Sequence, residues 1–369
     1  MAMRLLFVQK SASSGGGSKV SLVETLRAGI ERGAFEANVL MGEDGPMVDQ
    51  YRQLGMEPIL AFLPEWRKLF HRLRFPRAIR TASSTVAGFS PHHIVSNEMW
   101  WGPHALFLSR ELGCRSACII RDGIATLPTA RKYRLQELDR VICVSRSLAN
   151  QLLPDPVLAA RVRTVYNSVR LPDPDPAVDR DLSRAMAQYP QVSRWMLVIG
   201  KVGVRKQQAE AVRCLGRLVQ RGWKEWGLLL AGKVEEPYRP VIERTIRESG
   251  LADRVCLYGE VSNVTSALRA THLVVLTSRR EGMPRSLIEG LLGGKFCFTS
   301  RVEGAEEIFG EHGPLFVNES TDGAALAERI LSTFADRERA EQARISLRKR
   351  AERLFSPESH IEALLRALQ

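Results

Sequence analysis

Short apolar runs alternate with longer amphipathic segments along the whole chain, and this rhythm limits the fold more than any other feature of the sequence. Residues 5–8, 37–40, 58–62, 93–96, 117–120, 140–144 and 162–166 read as strands, and segments such as 18–32 and 103–112 carry helical spacing between them. The strand runs show little polar alternation, so they suit parallel sheets covered on both faces. The rhythm breaks at "LPDPDPAVDRDLSRAMAQYPQVSR", residues 171–194, whose first part is rich in proline and aspartate as a linker would be. It resumes at 196–199, 228–231, 255–258, 273–276 and 296–299. The expectation is an α/β protein of two doubly wound, Rossmann-like parallel-sheet domains. The first spans 1–170, a linker covers 171–194 and the second domain spans 195–353. A last helix, 354–369, is expected to pack back on the first domain.

Composition narrows the class. The 369 residues suit two domains. No uninterrupted apolar run reaches the ~18 residues of a membrane-spanning helix, and the apolar run near the start, at 5–8, is too short for a signal peptide. The six cysteines form no CxxC pair and mostly sit in strand-like runs, as reduced core residues of a cytoplasmic protein would. The formal charge of +12 is uneven. Residues 1–170 carry 23 Lys and Arg against 14 Asp and Glu, and the remainder 30 against 27. The first half is therefore suited to an acidic partner or simply to solubility.

In open parallel sheets, ligands bind beyond the carboxyl ends of strands, and with two such domains the main cleft is expected between them. Three loops follow strands. "SSGGGSKV" places Gly16 and Gly17 at a helix start, where an anion can approach the backbone, although the spacing fits neither a P-loop nor GxGxxG. "VIGKVGVRK" brings Lys201, Arg205 and Lys206 around a short turn, a pattern suited to a diphosphate. "REGMPRSLIEGLLGG" sets Glu281 in a loop, Pro284 at a helix start and Glu289 about one and a half turns inside. Carboxylates accept hydrogen bonds from vicinal hydroxyls, and a helix start favours a phosphate. Ordinary surface glutamates and a solvated basic loop would show the same spacing.

The segment 195–320 resembles the C-terminal, nucleotide-sugar-binding domain of GT-B glycosyltransferases, specifically the retaining family 4. "EGMPRSLIE" matches its E-x7-E signature, and "IGKVGVRK" resembles its phosphate-binding loop. "RVCLYGEVSNVTSALRATHLVVLTS" follows another of its patterns, while "GGGSKVSL", "VICVSRSL" and "VRTVYNSV" are looser matches in the first half. The resemblance implies that Lys206 and Lys201 bind the donor diphosphate, with Gly16 and Gly17 approaching donor phosphates or acceptor. It further implies that Glu289 binds the ribose and that Glu281, with Gly282, Met283 and Pro284, holds the transferred sugar. Glu281 and Lys206 would be catalytic. Lys201 stands where the family has Arg, and Gln207 where it has Gly. Where the family often has His, the sequence reads Arg121-Asp122-Gly123. Asp122 is the catalytic candidate there, bonding the sugar, with Arg121 turned to phosphate.

The implied activity is metal-independent transfer of a hexose from a nucleotide-diphosphate sugar to a lipid-linked, lipopolysaccharide or polysaccharide glycan. No cofactor or metal is expected, and "DPD" at 173–175 sits in the linker rather than after a strand. Two other readings remain: a nucleotide-sugar epimerase on the same architecture, and a nonenzymatic binder of anions or nucleic acid. Nucleic acid is not expected, because aromatic and basic residues interleave only at 64–80. In that segment Trp66, Leu69, Phe70 and Leu73 follow helical spacing among Arg67, Lys68, Arg72, Arg74, Arg77 and Arg80, with Pro76 expected to kink or end the helix. The aromatic face would pack on the sheet. Trp66, Arg67, Lys68, Arg72 and Arg74 are candidates to face an anionic membrane or acceptor at the inner face of the membrane.

Overall fold

Every strand expected from the sequence is present in the computed structural model, which describes residues 2–9 and 16–369. The chain divides into two units, the first of residues 1–169 and 355–369 and the second of residues 170–354. Unit 1 holds β1 (Met3–Gln9), β2 (Phe35–Met41), β3 (Ile59–Leu60), β4 (His93–Ser96), β5 (Arg115–Ile120), β6 (Arg140–Cys143) and β7 (Val162–Thr164). They form one parallel sheet in the order β3-β2-β1-β4-β5-β6-β7. Leu5, Leu6, Phe7 and Val8 of β1 are wholly buried, as a central strand covered on both faces requires.

Unit 2 repeats the plan. Its strands are β8 (Arg194–Ile199), β9 (Trp226–Ala231), β10 (Val255–Gly259), β11 (Leu273–Leu276), β12 (Phe296–Ser300) and β13 (Val317–Asn318). They are parallel in the order β10-β9-β8-β11-β12-β13. In each sheet the strand order reverses beside its first strand, between β1 and β4 and between β8 and β11. Such a switch point opens a crevice at the strands' carboxyl ends.

One boundary lies elsewhere than the sequence suggests. Residues 171–194 belong to unit 2 and contain a helix, Pro176–Met186. Asp175 caps it by accepting from the Ala177 N–H at 2.8 Å, and Asn263 donates to the Asp173 carbonyl at 2.7 Å. The Asp-Pro pair is thus a helix start, with aspartate capping and proline in the first turn, rather than free linker. The last helix, Pro357–Leu368, is part of unit 1. Its buried His360 bonds the Tyr166 carbonyl through Nδ1 at 2.6 Å and the Thr25 hydroxyl through Nε2 at 2.9 Å. Arg115 donates to the Gln369 carbonyl at 2.7 Å.

The basic segment is also rearranged. Its helix runs Leu69–Val86 and continues through Pro76. Trp66 precedes it in a turn, off the helical lattice. The indole turns inward, 5.0 Å from the Phe75 ring, and donates to the Lys132 carbonyl at 3.0 Å. Arg72 stacks over it at 4.9 Å. Phe70 and Leu73 are exposed rather than packed on the sheet, and the side chain of Leu69 lies outside the described residues. Among the described residues no helix is long and apolar enough to cross a membrane. The six cysteines are free thiols, all buried except the half-buried Cys114.

Candidate functional site

At the switch point of unit 2, the loop after β8 meets the loop after β11. The first leaves the sheet at Gly200, whose φ of 121° favours glycine. Gly232, at the end of neighbouring β9, must also lack a side chain, because a Cβ there would sit 2.0 Å from the Gly200 carbonyl oxygen. The loop is fixed from below by Gln208, which is wholly buried at the start of the helix Gln208–Gln220. Its Oε1 accepts from the Gly203 N–H at 3.0 Å, and its Nε2 donates to the carbonyls of Lys201 at 2.9 Å and Gly200 at 3.4 Å. Thr277, just past β11, donates to the Lys206 and Gln207 carbonyls at 3.1 and 2.9 Å.

These restraints bring Lys206 to Glu281, with Nζ 2.8 Å from Oε1. Arg205 approaches the other carboxylate oxygen at 3.3 Å, and the Ser278 hydroxyl donates to Oε1 at 2.8 Å. Glu281 is buried. Burial alone would raise its pKa. The charges of Lys206 and Arg205, with the bonds from Lys206 and Ser278, outweigh burial and hold the carboxyl below the usual range. The backbone N–H of Glu281 donates to Glu303, beyond β12, at 3.1 Å. Gly304 follows at φ 77°, where a Cβ would press within 3.1 Å of the Gly282 carbonyl and the Met283 sulfur. Gly282, Met283 and Pro284 are therefore held between two loops and are buried.

Glu289 lies in the helix Arg285–Leu292, nearly buried, and accepts from Arg285 at 3.2 Å. Pro284 is the residue before that helix. Lys201 is not drawn into the Lys206 cluster. Its ammonium lies 3.0 Å from Glu235 and is mostly exposed. The cation that joins Lys206 at Glu281 is Arg205.

In unit 1, Gly16 precedes the helix Gly17–Glu31 with φ 103°, and Gly15 of the same triplet lies outside the described residues. Arg121 and Asp122 follow β5 and are half-buried. The Arg121 guanidinium donates to the amide oxygens of Asn97 at 3.0 Å and Asn167 at 2.5 Å. Asn97 in turn donates to Gln9 and to the Ser18 carbonyl, both at 3.1 Å. The ends of β1, β4, β5 and β7 thus share one polar network. Sequence reasoning missed Gln9, Asn97, Asn167 and Gln208. Each is a polar residue directly after or closing an apolar strand run, or opening a helix after a glycine loop, and that position was the available signal. Arg67, Lys68, Arg72 and Arg74 are exposed, whereas Trp66 is turned inward.

Comparison with known proteins places this geometry. Residues 179–350 match the family model of glycosyl transferases group 1. The N-acetyl-alpha-D-glucosaminyl L-malate synthase of Bacillus anthracis is 25% identical over 210 residues, 56% of this chain and 53% of that protein. The chain thus spans about half the length of the curated relative it matches. Among solved structures, Anabaena Alr3699/HepE in complex with UDP and glucose superposes with a TM-score of 0.81 at 18% identity, over 99% of each chain. A glycosyltransferase from Rickettsia africae gives 0.81 at 14% identity, over 100% of this chain and 98% of its own. The chain has the two-sheet fold of GT-B glycosyltransferases, and its second unit, at residues 179–350, carries the match to glycosyl transferases group 1.

Proposed function

We propose that the protein is a retaining, metal-independent hexosyltransferase. It would use a nucleotide-diphosphate sugar as donor and a lipid-linked, lipopolysaccharide or polysaccharide glycan as acceptor, at the inner face of the membrane. The observation that carries this reading is the Lys206–Glu281–Arg205 cluster at the switch point of unit 2. A buried carboxylate beside two cations is poised to exchange partners. As the diphosphate arrives, Lys206 and Arg205 turn part of their charge to phosphate oxygens, and Glu281 becomes available to accept sugar hydroxyls. Glu289 sits eight residues further on to accept the ribose hydroxyls. Lys201 adds a second ammonium to the same loop.

In the reaction the bond from sugar C1 to the diphosphate oxygen breaks, and the acceptor hydroxyl oxygen bonds C1 and gives up its proton to the leaving diphosphate. The nucleoside diphosphate leaves with the electron pair. Negative charge grows on the leaving oxygen, where Lys206 and Arg205 are already fixed, and one such preorganised donor is worth about 3–4 kcal/mol. UDP is the favoured nucleotide because a structural neighbour is described with UDP and glucose.

A thermal-shift panel of UDP, GDP, ADP and CMP tests the reading, since a ligand that prefers the native state raises its melting temperature. A rise with UDP, followed by sugar transfer from UDP-hexose without inversion at C2, is the expected result. No rise with any nucleotide would overturn it, and C2 inversion without an acceptor would assign the epimerase reaction instead.

A further inference from the structure

The surface around the start of helix Leu69–Val86 is apolar where a folded protein ordinarily hides such groups. Phe70 is 81% exposed and Leu73 79%, one helical turn apart on one face. Phe62, 58% exposed, lies on the segment after β3, and its ring is 6.2 Å from that of His71, the residue after Phe70. Leu60 of β3 is exposed as well. Trp66, the residue the sequence suggested for this face, is spent on internal packing against Phe75 and Phe107. The exposed set therefore comes from two segments, and only the folded chain assembles it.

Cations surround it. Arg67, Lys68, Arg72, Arg74, Arg77 and Arg80 are exposed, and between residues 64 and 80 the only acid is Glu65. Glu65 is already engaged, at 2.9 Å from Arg67 and 3.2 Å from Lys68. Apolar side chains ringed by cations fit a surface with an apolar interior and an anionic skin. They do not fit a second copy of the chain. A two-fold contact would set this patch against itself and bring like charges together.

We propose that this face docks the protein on an anionic phospholipid bilayer, with Phe62, Phe70 and Leu73 entering the acyl boundary while the arginines meet lipid phosphates. It extends the proposed lipid-linked acceptor, because docking would hold unit 1 at the layer where such an acceptor resides. It does not depend on which sugar is moved.

The test sediments the full chain with vesicles of phosphatidylcholine alone and with phosphatidylglycerol added, beside a double variant, Phe70→Ser with Leu73→Ser. Both positions are solvent-exposed, so the variant is expected to fold, and its melting temperature and UDP shift are measured in parallel. The wild type should bind only the anionic vesicles and release at about 0.5 M salt. The variant should bind about tenfold more weakly or worse, with an unchanged UDP response. Equal binding by variant and wild type would overturn the proposal, as would absence of wild-type binding to either vesicle. A wild-type dimer in solution that the double variant dissolves would assign the patch to a second copy instead. Vesicle binding without any UDP response would leave the docking intact and remove the donor reading.

Discussion

The ammonium of Lys206 lies 2.8 Å from the buried carboxylate of Glu281, and both side chains are more than four-fifths buried. A pair of this kind is worth more to the site than to the fold. Its Coulomb gain largely offsets the desolvation of the two charges, but removing one member leaves the other charge buried and undercompensated. Lys206→Ala should lower the transfer rate about 10²- to 10³-fold. It should also destabilise the protein by a few kcal/mol, up to about 3–5 if Arg205 does not compensate. Steady-state rates and urea denaturation on the same variant separate the two effects.

Glu289→Ala should act on binding. If Glu289 accepts ribose hydroxyls, losing a charged acceptor costs about 1.5–3 kcal/mol, or roughly ten- to a hundredfold in UDP affinity. Calorimetric titration with UDP measures it, and unchanged affinity would place the ribose elsewhere.

Gln208 is a positioning residue, since its side chain bonds the backbone of the loop that carries Lys201 and Lys206. Gln208→Leu leaves the Gly203 N–H and the Lys201 carbonyl without their buried partner, at about 1–3 kcal/mol each. The expected outcome is weaker UDP binding together with a lower melting temperature. Gln208→Glu keeps the acceptor for Gly203 but not the donors, so it should recover only part of the affinity.

His360 gives the fold a pH dependence. Burial pushes its pKa down to about 4, below the ordinary 6.5. The unfolded chain therefore takes up this proton more readily than the folded one. Stability from this group is complete above about pH 6.5 and declines as pH falls toward 4, by roughly 3 kcal/mol in all. Melting temperatures across pH 7 to 4 should show the slope, and His360→Gln should flatten it.

The sheets were legible because a parallel strand buried on both faces carries an apolar run, as Leu5–Val8 does in β1 and Leu228–Ala231 in β9. The two-residue β13 was not, because Val317 and Asn318 carry no period. Glu281 and Lys206 stood out as charges in the loops that follow β11 and β8. Gln208 did not, since nothing in a linear pattern tells a glutamine that closes a loop from one facing water. The first-turn proline and capping aspartate at 175–176 resemble linker chemistry and helix-start chemistry equally. Trp66 was misplaced because helical spacing assumes a helix. The helix begins only at Leu69, and the turn before it sends the indole the other way.

Unit 1 is interrupted in sequence by the whole of unit 2 and closed by residues 355–369. During synthesis its sheet would thus emerge well before the helix that carries His360. At ~5–20 residues per second, roughly ten to forty seconds of translation separate the two. The nascent N-terminal half must wait with the seat of that helix open to solvent. A chain released early, after residue 169, is expected to be less stable than the intact protein and more dependent on chaperones, which limited proteolysis of that fragment with and without the added peptide 355–369 can measure.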